Sequence, residues 1–179
     1  MSATAPASVP TTGTWQIDAT HSTVTFTVAH NVVATFRSGF HGVSGSLENG
    51  VLSGSVAVEN LELGGPAVFR EHLLGEGFFD AASHPTLNFS SQDIHAHDDG
   101  SLHANGELTI KGVTKPVHAT GTVNGPTEDF VGNTRLGFTL ETKINRTEFG
   151  LNWNADLPKG GKALSDEVTL IVELEFNKV

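Results

Sequence analysis

The stretch Gly106-Glu107-Leu108-Thr109-Ile110-Lys111-Gly112-Val113-Thr114-Lys115-Pro116-Val117 decides how this chain is read. Two extended runs meet at Gly112, a residue that turns the chain without steric cost. In the first run Leu108 and Ile110 project to one face, and Glu107, Thr109 and Lys111 to the other. The stretch holds no nucleophile, metal cluster or phosphate loop. It reads as antiparallel barrel wall, which directs the search for function toward an interior cavity.

The same period-two alternation recurs along the chain. Val24, Phe26 and Val28 alternate with Thr23, Thr25 and Thr27; Leu136, Phe138 and Leu140 alternate with Gly137, Thr139 and Glu141. Val168, Leu170, Val172, Leu174 and Phe176 repeat the pattern near the C-terminus. These are half-buried antiparallel strands. Further strands are expected around 34–47, 51–62, 86–97, 102–111, 113–124 and 130–144. Glu48-Asn49-Gly50, Asp98-Asp99-Gly100 and Asn124-Gly125-Pro126 mark turns between them. From Pro66 to Ala82, Val68, Phe69, His72 and Leu73 fall at helical spacings, so one short helix is expected to pack against or plug a barrel end. The predicted fold is all-β: about eight antiparallel strands closed into a barrel, which removes exposed edges. Barrels of this size either fill with side chains or hold one small ligand. The inward sets combine large residues (Phe26, Phe36, Phe40, Phe138, Trp153) with Gly45, Gly106 and Gly121, which leave room or create bends. The pattern permits a cavity without requiring one.

The chain has 179 residues, enough for one domain with a substantial core. Residues 1–12 are small, polar and proline-punctuated, so they are expected to form a disordered tail before a single domain at 13–179. Twenty acidic residues against ten basic ones give a net charge of −10. With no Lys/Arg run, this argues against nucleic acid and against anionic lipid headgroups as partners. The absence of cysteine removes disulfides, thiolate catalysis and zinc–cysteine sites. No run approaches the roughly 20 apolar residues of a membrane helix. No export signal is read at the N-terminus, and a cytoplasmic location is expected.

Several separated blocks resemble the YceI-like proteins, often described as polyisoprenoid-binding. They are Trp15-Gln16-Ile17-Asp18 with His21-Ser22; Arg70-Glu71-His72-Leu73 with Phe78-Phe79-Asp80 and His84-Pro85; Gly106 to Val117; Ile144-Asn145-Arg146 with Phe149-Gly150-Leu151; and Ser165-Asp166-Glu167-Val168. They run in order along nearly the whole chain. The resemblance implies an extended, lipocalin-like barrel with an apolar tunnel that binds a long isoprenoid or similar amphiphile, and a homodimer. Many relatives are exported; that setting is not carried over. No cofactor is required, and the implied occupant is a polyisoprenoid or quinone. Two rival readings remain: a quinone-linked redox accessory protein, and a stress-response or structural protein with a filled barrel.

Tunnel-lining candidates on the strands are Phe26, Val28, Phe36 and Phe40, then Val56, Val58, Leu108 and Ile110, then Leu136, Phe138, Leu140, Leu170 and Val172. The plain alternative for each is core filling. Phe69, Leu73, Phe78 and Phe79 gate or cap one end. His30, Arg70, His72 and Arg146 are the candidates for meeting a head group, since guanidinium binds oxyanions bidentately; against this, Arg146 pairs with a carboxylate such as Asp18 and fixes the barrel end. Asp18, His21 and Ser22 suggest a triad, but alternation puts His21 on the face opposite Asp18 and Ser22, and no Gly-x-Ser-x-Gly elbow is present. If Asp98-Asp99-Gly100 forms a three-residue turn with Gly100 left-handed, His95 opposes His103, and His95, His97 and His103 share the outer face. That arrangement is either a solvated polar surface or a weak transition-metal site. Gly13-Thr14-Trp15 matches the Gly-x-Trp start of lipocalins, and a Trp closing a barrel end explains it equally well.

Overall fold

The computed structural model describes residues 9–10 and 12–179. In chain order the elements are β1 (Thr14–Ile17), β2 (Thr23–His30), β3 (Ala34–Phe40), β4 (Ser44–Glu48), β5 (Val51–Ala57), β6 (Leu61–Glu62), α1 (Ala67–Leu74), β7 (Thr86–Ala96), β8 (Ser101–Ile110), β9 (Val113–Glu128), β10 (Thr134–Asn145) and β11 (Leu164–Lys178). Neighbours run β1-β4-β5-β7-β8-β9-β10-β11, and β1 pairs again with β11 to close an eight-stranded antiparallel barrel. Closure leaves no free edge at that end.

Three wall strands are broken in the middle. The long β11 pairs with β2 along Leu164–Glu173 and with β1 along Phe176–Lys178, so β1 and β2 are two halves of one strand. The halves β3 and β4 separate around Gly42, whose φ of +71° suits glycine. A short 3₁₀ turn, Val58–Asn60, separates β5 from β6. One set of halves closes the barrel as β1-β4-β5. The other set, β2-β3-β6, stops short of β7 and leaves a gap.

Helix α1 accompanies that gap. It is shorter than the expected 66–82 span: Gly75 caps it, and turns carry the chain on to Ser83. Arg70 donates to the main-chain carbonyls of Glu59 and Leu61 and so pins the helix to the end of the broken strand. Phe69 meets Phe36 edge-on at 6.0 Å.

Turn chemistry sets the registers. Lys111 (φ +51°) and Gly112 (φ +74°) form a two-residue hairpin turn between Ile110 and Val113, the geometry that needs two left-handed residues. Lys111 thus belongs to the turn and not to the outer strand face; its Nζ donates to the carbonyl of Glu76 at 2.6 Å. Gly100 (φ +82°) closes the His97–Ser101 hairpin, where the His97 amide bonds to the Ser101 carbonyl at 2.8 Å.

One end of the barrel is solid. Leu47, Leu102, Leu136, Phe138 and Phe176 are essentially inaccessible there, with Phe138 edge-on to Phe176 at 5.0 Å. Trp15 seals it, with Lys178 Nζ 5.9 Å above its ring. The wall glycines do not leave space as composition suggested. A Cβ on Gly121 would lie 1.7 Å from the Thr139 carbonyl oxygen, on Gly45 2.0 Å from that of Ser53, and on Gly106 2.4 Å from that of Ser90. These glycines permit close backbone approach. Most of the expected 1–12 tail lies outside the described residues; within it Val9 and Pro10 are half-buried, and Val9 packs on the core.

Candidate ligand-binding cavity

Alternation carries the same face of each strand from the solid end into a hollow half. The hollow has two compartments. An outer one of about 190 Å³ opens beside α1, and an inner one of about 110 Å³ ends against the packed core. They share Val24, Leu87, Leu108 and Leu170, which form a waist between them. The inner compartment has roughly ten times the 10–15 Å³ that admits one water, and aliphatic side chains dominate its walls.

Most residues expected in the lining are placed there. Phe26, Val28, Phe36, Phe40, Phe69, Leu73, Phe78 and Ile110 face the outer compartment, with Phe79 beside them. Val56, Leu140 and Val172 face the inner one. Leu108 and Leu170 face both. Val58, Leu136 and Phe138 do not line it: they share the inward face but lie where the barrel is filled. Alternation identifies an inward residue and says nothing of what stands opposite.

The polar candidates divide. Among the described lining residues of the outer compartment, the titratable side chains are His30, His72 and Arg146. His72 stands edge-on to Phe78 at 5.1 Å and to Trp153 at 4.8 Å. Arg70 is committed to main-chain carbonyls outside the cavity, so it is not positioned for a head group. Arg146 is buried. Its Nε donates to the Ser165 carbonyl at 2.8 Å, and Nη1 to those of Leu151 and Trp153. Nη2 reaches Asp166 at 3.4 Å. Burial presses its pKa down while Asp166 opposes that shift. Its ionic partner is therefore Asp166 and not Asp18, and its main work is to tie the 151–165 segment to the barrel rim.

Asp18 belongs to another network, at the closed end. Arg135 Nη1 donates to Asp18 at 2.9 Å and to Glu175 at 3.1 Å, and its Nε donates to Asp129 at 2.8 Å. His21 bonds to Asp18 at 3.0 Å. This bond and the Arg135 contact hold Asp18 down at a pKa of about 2 against its partial burial. Ser22 is buried and exchanges hydrogen bonds with the main chain of Glu175, not with His21. The triad geometry is absent. A cation site among Asp18, His21 and Glu175 is already occupied by the guanidinium of Arg135.

Several lining residues escaped the sequence reading. Val24, Leu87, Leu164 and Val168 all line the outer compartment. Val24 and Val168 carried the alternation signal; Leu87 and Leu164 sit at strand starts, where alternation is too short to read. The wall is also interrupted. Strands β9 and β10 pair only as far as Thr120–Glu141, and beyond that Val113–Ala119 and Thr142–Asn145 separate. Pro116 sits opposite Glu107 in the β8 ladder, at a position where the residue's amide side faces β10. Having no N–H, it offers no donor across the gap. An outer groove of about 590 Å³ follows this gap, and Val117, Glu141 and Thr142 line both the groove and the inner compartment. Thr142 Oγ1 donates to the His118 carbonyl at 2.7 Å across it.

Comparison with known proteins agrees with this architecture. The profile of the YceI-like domain matches residues 15–176. A UPF0312 protein of Pseudomonas putida KT2440 is 32% identical over 105 residues, covering 59% of this chain and 51% of that protein. One from Pseudomonas savastanoi is 26% identical over 137 residues, covering 73% and 71%. The chain thus spans about half the length of the first of these curated relatives. Among solved structures, BcnA of Burkholderia cenocepacia superposes with a TM-score of 0.67 at 22% identity, covering 89% of this chain and 98% of that one. A polyisoprenoid binding domain from Saccharophagus degradans superposes with a TM-score of 0.68 at 13% identity, covering 92% and 98%. At such identities these two likenesses speak for the fold alone. The profile match extends over nearly all of the described barrel, and the chain belongs to the YceI-like family.

Proposed function

We propose that this protein binds the tail of an isoprenoid-type lipid, a polyprenyl chain or quinone, in the two-compartment cavity, and carries or sequesters it without chemical change. The observation that carries this reading is the predominantly apolar lining of both compartments. Among the described lining residues the ionisable side chains are His30, His72 and Arg146 in the outer compartment and Glu141 in the inner one, at the wall it shares with the outer groove. An isoprenoid tail has no polar handle along its length, so a dry aliphatic and aromatic wall suits it. Each buried methylene contributes about 0.8 kcal/mol. His30, His72 and Trp153 stand where a head group would emerge, while Arg146 is already saturated. The polyisoprenoid-binding description of the Saccharophagus domain supports the same ligand class.

Organic extraction of purified protein followed by mass spectrometry tests the proposal. A lipid or quinone should co-purify, or should bind when polyprenol and ubiquinone homologues are offered. If neither happens, the filled-barrel alternative takes its place.

A further inference from the structure

The outer face of β7, β8 and β9 carries a row of imidazoles that the cavity does not use. His95 and His97 have ring centres 4.8 Å apart, His97 and His103 5.0 Å, and His103 and His118 5.6 Å. The register produces this row. The Asp98-Asp99-Gly100 turn sets His95 opposite His103, and the Lys111-Gly112 turn sets Asn105 opposite His118 and His103 opposite Thr120, so His118 lies diagonally across from His103 on the same face.

Each adjacent pair stands at the spacing of two imidazoles on one metal, while the ring nitrogens of no three of them yet lie within 4.8 Å of one another. Two imidazole nitrogens at about 2.0–2.1 Å from one metal, at near-tetrahedral angles, hold their ring centres about 5 Å apart. His118 is also prepared for it. Its Nδ1 donates to Asn105 Oδ1 at 2.6 Å, and Asn105 Nδ2 points to Asp93 Oδ2 at 3.5 Å. With Asn105 Oδ1 as the acceptor, this bond uses Nδ1 and leaves Nε2 as the nitrogen for a metal, the arrangement in which an outer partner orients a metal-bound histidine. Asp98 and Asp99 beside His97 supply negative charge without blocking the rings. His97 stands edge-on to both His95 and His103, and His118 is tilted against His103. Bringing their nitrogens together requires rotation about χ1, between staggered wells, and about χ2, whose profile is broad for a ring, in side chains on an outer surface.

We propose that His95, His97, His103 and His118 form a surface site for a late first-row divalent cation, with His97 and His103 at its centre. Imidazole donors favour Cu²⁺ over Ni²⁺ and Zn²⁺ in the usual affinity order. The site stands on the outer wall and does not depend on what the cavity holds.

Isothermal titration of the full chain with CuCl₂, NiCl₂ and ZnCl₂ at neutral pH, in a non-chelating buffer, tests it. Saturable binding of one ion is expected, tightest for Cu²⁺. His103→Asn should weaken it at least about tenfold, and the double variant His97→Asn/His103→Asn should abolish it. His41→Asn, between β3 and β4 and beside Glu62 at 3.4 Å, should bind as the parent does. These are outer-face substitutions, and circular dichroism verifies the fold of each. As an independent readout, the His118 imidazole resonances should shift or broaden on adding metal. No saturable heat at millimolar metal, full binding by the double variant, or an equal loss in His41→Asn would each overturn the site.

Discussion

Replacing Leu108 with tryptophan should cut the cavity in two. Leu108 is one of four residues lining both compartments, and Val24, Leu87 and Leu170 complete the ring around the same point. An indole there occupies the waist and denies the 110 Å³ inner compartment to a ligand entering from the mouth. That space suits on the order of one isoprene unit, about five carbons, or about 4 kcal/mol at ~0.8 kcal/mol per methylene. At 1.4 kcal/mol per decade, a long-chain ligand should bind about a thousandfold more weakly. A short homologue that reaches only the outer compartment should bind as it does to the parent. Calorimetric titration of variant and parent with a short and a long quinone or polyprenol measures the contrast. Overpacking in a filled core costs about 1–3 kcal/mol, so a thermal melt also reports whether the waist borders a void: the loss should fall below that range. If a folded Leu108→Trp protein binds the long ligand as tightly as the parent, the inner compartment is not part of the binding path and the reasoning fails.

Three further outcomes follow from the packing. Gly121→Ala should unfold or strongly destabilise the barrel, because its Cβ would fall 1.7 Å from a carbonyl oxygen, whereas Gly137→Ala, with no atom closer than 3.9 Å, should cost only a small fraction of that; paired denaturation curves compare them. Phe138→Ala in the solid end should cost about 3–5 kcal/mol, and Phe36→Ala, facing the cavity, clearly less in the same urea titration; equal losses would contradict the division into solid and hollow halves. Asp18→Asn should lower stability at neutral pH. Because the folded-state pKa of Asp18 is depressed to about 2, its contribution is present above the ordinary carboxylate range and is lost as pH falls through that value. The gap between variant and parent should therefore close between about pH 4 and pH 2, and a gap independent of pH would show that the bonds from His21 and Arg135 are not its source.

Leu102 and Leu108 show where reading the chain reaches its limit. They lie on one strand and one face, and alternation treats them alike. Leu102 is sealed in packed core, while Leu108 borders a void. The same holds for Phe138 against Leu140. Arg146 and Asp18 both stood out in the sequence, yet each found a different partner: Asp166 for one, and Arg135, 117 positions away, for the other. Arg70 had the chemistry of an anion binder but is spent on carbonyls left over by a broken strand. The histidine row lies between these cases. The Asp98-Asp99-Gly100 turn predicts the placement of His95, His97 and His103, and the two-residue turn at Lys111-Gly112 contains the signal that brings in His118.

Local rules acting on neighbouring residues were enough to establish the class of fold, the inward faces, the main turns and the family likeness. Alternation is a property of the pleat, and turn preference is a property of single φ angles, so both survive in a bare sequence. Whether an inward face meets packed side chains or empty space depends on the opposite wall, which strand closure brings together from residues far apart in the chain. The cavity and its waist, the gap at Pro116, and the partners of each arginine therefore belong to the tertiary structure. The segment from Gly106 to Val117 spans this division. Its alternation and its turn were legible, while the void beside Leu108 and the missing donor facing β10 became visible only once the barrel was closed.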